Sequence, residues 1–227
     1  MDGDSTCWTV IHGAAAGSRT DRDEFARRYG PVVRDYLAAR WRNPLLRVHL
    51  DDAVQEFFVE CFRKGGVLSQ ADESRPAGFR AFLYGVVRNV ALRIEAKQFR
   101  SPSGVAQDVG LDDLPDPGET FSRMFDRSWA KAMVREAADL QIARAAQSGG
   151  EAQRRSELLR LRFFEGLPIR EIARRWGIDS AVVHHEYAKA RAEFRKALGD
   201  VVAFDHPGSP EEIDARCHEL LSLLNRG

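Results

Sequence analysis

IREIARRWGIDSAVVHHEYAKAR, residues 169–191, decides how the rest of the chain is read. Its apolar side chains fall at Ile169, Ile172, Ala173 and Trp176, then at Ile178, Val183, Tyr187, Ala190 and, just beyond, Phe194. Steps of three and four put side chains on one face of an α-helix. Gly177 stands between the two sets, where a tight turn needs backbone angles that glycine adopts without strain. Two short helices around such a turn have the shape of a helix-turn-helix, whose second helix enters a major groove by its N-terminal part. The exposed positions of that second helix are His184, His185, Glu186, Lys189 and Arg195. Two imidazoles and a carboxylate are an unusual front to offer a polyanion.

Charge is spread unevenly on either side of this stretch. The 227 residues carry 34 Lys+Arg and 34 Asp+Glu, a net charge of zero. Residues 19–100 hold 16 Lys+Arg against 11 Asp+Glu, net +5, and residues 151–199 hold 11 against 7, net +4. The first 18 residues are −2, residues 101–150 are −3 and residues 200–227 are −4. Two basic blocks alternating with acidic segments fit a chain that meets DNA through two surfaces. Chance variation in helical surface charge is the alternative.

Hydrophobic residues make up 44% of the chain without any apolar run near 18 residues, so no membrane span is expected. MDGDSTCWTVIHG at the start is acidic and lacks an apolar core with a cleavage site, so no secretory leader is expected. Cys7, Cys61 and Cys217 lie far apart and form no CxxC. That pattern predicts neither a disulfide framework nor a zinc site, and the cytoplasm is the expected compartment.

Helical periodicity runs throughout, so the expected fold is all-α: two helical domains, a flexible linker and an extra C-terminal helix. Thr20 is the expected cap of a helix carrying Phe25, Tyr29, Val32, Val33, Tyr36 and Leu37, kinked at Pro31. Asp52, with Gln55 three residues on, is the expected cap of the next helix, which Gly65-Gly66 ends. Residues 67–78 read as a loop. A helix over 79–100 buries Phe79, Phe82, Leu83, Val86, Val87, Val90 and Ile94, and turns Asn89, Arg93, Lys97 and Arg100 outward. Residues 101–121 read as linker, followed by helices over 122–147, 152–164, 168–176 and 180–198. In SPEEIDARCHELLSLLNRG, Ser209, Pro210 and Glu212 make a helix start. Its stripe of Ile213, Cys217, Leu220, Leu221 and Leu224 is expected to cover the preceding domain.

No catalytic chemistry is expected, because GxxxxGK[ST], GxSxG and HExxH are all absent and no cysteine sits beside an obvious base. Neighbours such as His184 and His185 point about 100° apart on a helix, which argues against a shared metal ion. No metal and no cofactor is expected.

Three segments together resemble the extracytoplasmic-function (ECF) group of bacterial RNA polymerase sigma factors, in the sigma-70 family. DDAVQEFFVECFRKGG resembles the region 2 helix that grips polymerase. FRAFLYGVVRNVALRIEAKQFR resembles the following helix, which binds the −10 element. LLRLRFFEGLPIREIARRWGIDSAVVHHEYAKARAEFRKAL resembles region 4, which binds the −35 element. The resemblance implies region 2 over 20–100, a linker over 101–121 and region 4 over 122–199. Residues 1–19 and 200–227 are then extensions.

By that resemblance, Asp52, Gln55 and Glu56 face the β′ clamp helices of core RNA polymerase, and region 4 faces the β flap. Asn89, with Arg93, Lys97 and Arg100, meets the −10 element, where Asn89 and the loop 67–78 receive a flipped base. His184, His185, Glu186, Lys189 and Arg191 meet the −35 element of promoter DNA. Glu186 is expected to accept a hydrogen bond from cytosine N4. Lys or Arg with Ser is usual in the family where this chain has His184-His185-Glu186. An anti-sigma factor or a serine/threonine-kinase pathway is a further partner of the kind extended members have. Two other readings stay open: a dimeric helix-turn-helix regulator, and a degenerate sigma-like protein that binds partners without reading DNA.

Overall fold

The computed structural model describes residues 7–74, 78–99 and 117–225. Among the described residues the fold is all-α, with no strand. The chain divides into two compact units, and the divisions fall between Ala132 and Met133 and between Leu221 and Ser222. No helix among the described residues is long and apolar enough to cross a membrane.

In the first unit are α1 (Cys7–Ala16), α2 (Arg19–Arg40), α3 (Pro44–Arg47), α4 (Leu50–Phe62), a 3-10 turn (Val67–Gln70) and α5 (Gly78–Phe99). Its core is aromatic. Phe25, Tyr29 and Tyr36 of α2, Phe57 of α4 and Phe79 of α5 are all buried. The Phe25 ring lies 4.8 Å from Tyr29 and 6.0 Å from Phe79, the latter edge to face, within the range where such pairs attract. Leu83, Val87 and Val90 bury the α5 face that their spacing predicts.

Several local expectations are corrected. Cys7, Trp8, Val10, Ile11 and Ala14 are buried, so α1, for which no helix was expected, packs into this core. Trp8 meets Phe79 edge to face at 5.9 Å. Ser18, not Thr20, caps α2 by accepting from the Asp21 N–H at 3.4 Å. Pro31 lies inside α2, where the sequence places it. His49 stands at the α4 cap position without a side-chain bond, while Asp51 and Asp52 lie in the first turn. There a carboxylate stabilises the helix through its dipole rather than by capping. The helix ends at Phe62, before the glycine pair, and the loop holds a 3-10 turn with Leu68 buried.

Helix α6 (Pro117–Ser148) starts inside the stretch read as linker and runs past the expected domain start at 122. The rest of that stretch, 101–116, lies outside the described residues. Phe125 and Trp129, one turn apart on α6, are buried in the first unit. Trp129 stacks on Tyr29 at 5.6 Å and Phe125 meets Tyr36 at 5.6 Å. Aromatic area of this size fixes the start of α6 against α2.

A buried polar network ties α2, α5 and α6. Glu95 Oε1 accepts from Arg40 Nε and Trp41 Nε1, both at 2.7 Å, and Oε2 accepts from Arg40 Nη2 at 2.8 Å. Arg40 Nη1 donates to Tyr36 Oη at 3.2 Å. The guanidinium sits 3.9 Å from the centre of the Phe121 ring. Burial pushes the Tyr36 phenol up to about 12. Burial also opposes the Arg40 charge, but Glu95 and Tyr36 together outweigh it and raise the guanidinium above its ordinary value.

The second unit, Met133–Leu221, holds the rest of α6, then α7 (Gly150–Phe163), α8 (Ile169–Trp176), α9 (Ser180–Asp205) and most of α10 (Pro210–Asn225). Leu158, Leu161, Ile172, Ala173 and Val183 form its buried cluster, with Leu167, Ile169, Trp176, Ile178 and Tyr187 packed against it. Helix α9 outruns the expected end at 198, because Val201 and Val202 prolong the buried row begun by Ala197 and Leu198.

Helix α10 begins with the expected capping box. The Ser209 N–H donates to Glu212 Oε2 at 2.8 Å, and the Glu212 N–H donates back to Ser209 Oγ at 3.3 Å. Cys217 is buried and Ile213 lies against Gly199 of α9, so this part of α10 packs on its own unit. Leu224 of the expected stripe falls beyond Leu221, outside that unit.

Candidate nucleic-acid interface

Local chemistry builds the helix-turn-helix at both ends of its turn. Gly177 has φ 65°, the left-handed region, and ends α8. Its N–H donates to the Arg174 carbonyl at 3.2 Å, and the Ile178 N–H donates to the Ala173 carbonyl at 3.1 Å. That bond pair is a Schellman motif, and Ile178 packs on the buried cluster as such a cap requires. Asp179 then caps α9, accepting the Ala181 N–H at 2.6 Å. Three residues thus join two helices whose apolar faces share one core.

Helix α9 turns Val183 and Ala190 into that core. His184, His185, Lys189, Arg191 and Arg195 are exposed, as their spacing predicts. The Arg191 guanidinium lies over the Tyr187 ring at 5.7 Å. Glu186 is different. Half-buried, it pairs with Arg155 of α7 at 3.3 Å and with Lys189 at 2.9 Å. Arg155, with its side chain 15% exposed, also holds Glu193 at 2.7 Å. The bond from Lys189, and then that from Arg155, keep the Glu186 carboxyl below its ordinary pKa. Burial opposes the Arg155 charge, but Glu193 and Glu186 more than offset it.

The expectation that Glu186 accepts from cytosine therefore meets a carboxylate already paired within the fold. Each of its oxygens accepts one bond, from Arg155 and from Lys189, and each keeps a further lone pair. Arg191 and Arg195 have no ion pair among the described residues and stay available to phosphate oxygens.

In the first unit, Asp52 and Gln55 are exposed on α4, and Glu56 is half-buried. Asn89, Arg93 and Lys97 are exposed along one face of α5, while Arg100 lies outside the described residues. Two of these residues meet. Arg93 Nη2 bonds Glu56 at 2.9 Å and Nη1 bonds Glu60 at 3.1 Å. The acidic edge of α4 and the basic stripe of α5 thus share an ion pair, and part of the Arg93 charge is neutralised at home.

Among the exposed apolar residues that escaped the sequence reading, two lie beside candidate site residues. Val59 is 65% exposed and lies one turn beyond Gln55 and Glu56; Val182 is 52% exposed in the first turn of α9. The adjacency of Val182 and Val183 carried the signal, since neighbours on a helix cannot both face one core. Among the described residues, no three His, Cys, Asp or Glu side chains converge to hold a metal. No family model matches the chain, and no curated protein matches it.

Proposed function

We propose that the chain is an ECF-type sigma factor, which binds core RNA polymerase and directs it to promoters. One observation carries this reading: α8, the left-handed Gly177 and α9 make a helix-turn-helix whose outer face presents His184, His185, Lys189, Arg191 and Arg195. The resemblance of α4 and α5 to sigma region 2 adds the partner. Asp52, Gln55 and Glu56, with Val59 beside them, form the edge for the β′ clamp helices, and the second unit meets the β flap. Asn89 receives a flipped −10 base, and Arg93, Lys97 and Arg100 hold phosphates. His184 and His185 reach base edges, Arg191 and Arg195 hold the backbone, and Lys189, bonded to Glu186, stands beside them.

Energy explains why such a chain works with polymerase. Unpairing a base costs a few kcal/mol, and stacking it on protein returns about 1–3 kcal/mol. One domain can hold a single flipped base. Opening about ten pairs, at about 1.4 kcal/mol per step, needs the larger enzyme.

Transcription from genomic fragments by purified core polymerase, with and without this chain, tests the reading. New start sites that require the chain support it, and their absence rejects it. Asp52→Ala with Gln55→Ala is expected to weaken co-purification with core polymerase at least tenfold, a loss of about 1.4 kcal/mol, without lowering the melting temperature. Both side chains are exposed, and Glu56 keeps its bond to Arg93. Equal capture of the double variant would remove α4 from the interface.

Glu186→Gln gives a second test. The amide removes the negative charge facing Lys189, so one more cation becomes available to phosphate. Binding of the holoenzyme to duplex is expected to steepen by about 0.9 in its log–log salt slope, the contribution of one phosphate. Base preference should not change. A shifted preference would return Glu186 to the bases and displace the structural role given it here.

A further inference from the structure

We propose that Val182 reads the methyl group of a thymine in the upstream promoter element, and so sets part of the sequence preference of α9. This rests on the sigma-factor reading above. Val182 stands in the first turn of α9, the part of a recognition helix that reaches base edges. It is 52% exposed, while its neighbour Val183 is wholly buried. An exposed β-branched residue contributes nothing to this helix, since alanine is the better helix former.

The side of α9 on which Val182 lies has little else to offer a base. One turn on is Glu186, occupied by Arg155 and Lys189, and Lys189 follows at the next turn, bonded to Glu186. Ala181, also exposed, contributes only a methyl group. The first two turns on this side therefore present the Val182 isopropyl group and, one turn on, the exposed His185 imidazole. Among the groups that base pairs show in the major groove, the one apolar feature is the thymine 5-methyl. An isopropyl group matches it and matches no donor or acceptor. His185, exposed one turn from Val182, can bond the edge of an adjacent pair.

The experiment uses the full chain in holoenzyme. Duplexes randomised in the upstream element are first selected with the parent protein. Each thymine of the selected sequence is then replaced by deoxyuridine, which removes only the 5-methyl group. Burying one methyl-sized group predicts about a fourfold loss of affinity, at one position. Val182→Ala should bind the selected sequence about as weakly as the parent binds that single deoxyuridine probe. It should also be indifferent to the replacement. Val182→Thr, which keeps one γ-methyl, should retain part of the sensitivity. If no deoxyuridine weakens the parent, or if Val182→Ala is equally sensitive at every thymine, the inference is overturned while the sigma-factor reading stands. If the parent holoenzyme selects no upstream sequence at all, both fall. Unchanged melting of Val182→Ala separates lost contact from lost fold.

Discussion

Glu95→Ala is expected to destabilise the first unit by roughly 3–5 kcal/mol, the usual consequence of stripping one partner from a buried ion pair. The Arg40 side chain is 5% exposed and that of Glu95 18%. Removing the carboxylate leaves a buried guanidinium and the Trp41 indole N–H without their acceptor. Arg40 also lies on Phe121 at the start of α6, so the same change loosens the helix that carries Phe125 and Trp129. Denaturant unfolding followed by tryptophan emission measures this, with Trp176→Phe as background so that the signal comes from Trp8, Trp41 and Trp129. Glu95→Gln, which keeps the shape and one acceptor oxygen, should lose less. A loss under about 1 kcal/mol, the value of an exposed pair, would show that solvent already reaches the network.

Ile172→Ala should cost the second unit about 2–5 kcal/mol, the transfer energy of the lost carbons plus that of the cavity they leave. Ile172 is fully buried among Leu158, Leu161, Ala173 and Val183, so α7, α8 and α9 all lose contact at once. Emission from Trp176, half-buried on α8, reports the transition. DNA recognition by the upstream element should fail with it. Capture by core polymerase through α4 should persist, because the first unit is untouched. A small loss of stability would contradict the placement of Ile172 in the buried cluster of the second unit.

These two sites differ in how far the sequence exposes them. Ile172 belongs to a row spaced by three and four within one short helix, and its burial is legible in residues 169–176. The Arg40–Glu95 pair joins residues 55 apart in sequence, and each taken alone reads as one more charge on a helix face. Arg93 illustrates the same point at a candidate site. Its place on the outer stripe of α5 was legible from spacing, but its bonds to Glu56 and Glu60 depend on how α4 and α5 pack.

Helix α1 was missed for another reason. CWTVIHGAAA has the apolar spacing of a buried helix, but a short acidic start before a stronger periodic segment gave it no context. The cap of α4 was placed three residues too late, because Asp52 and Gln55 satisfy the capping-box pattern and His49 does not.

By itself the sequence determined the all-helical class, the α8–Gly177–α9 turn and the outward face of α9. All three depend on residues within a few positions of one another. Helical periodicity and the left-handed freedom of glycine are local properties, and they survive in any tertiary context that keeps the core. Only the tertiary structure decided what the charged residues on those faces are free to do. Glu186 and Arg155 are 31 residues apart, and their bond exists because α7 packs beside α9. A carboxylate chooses the nearest cation in space, and proximity in space is a property of packing that no local pattern encodes. That packing sets Glu186 beside Arg155, while Val182 stands apolar and exposed at the front of the helix.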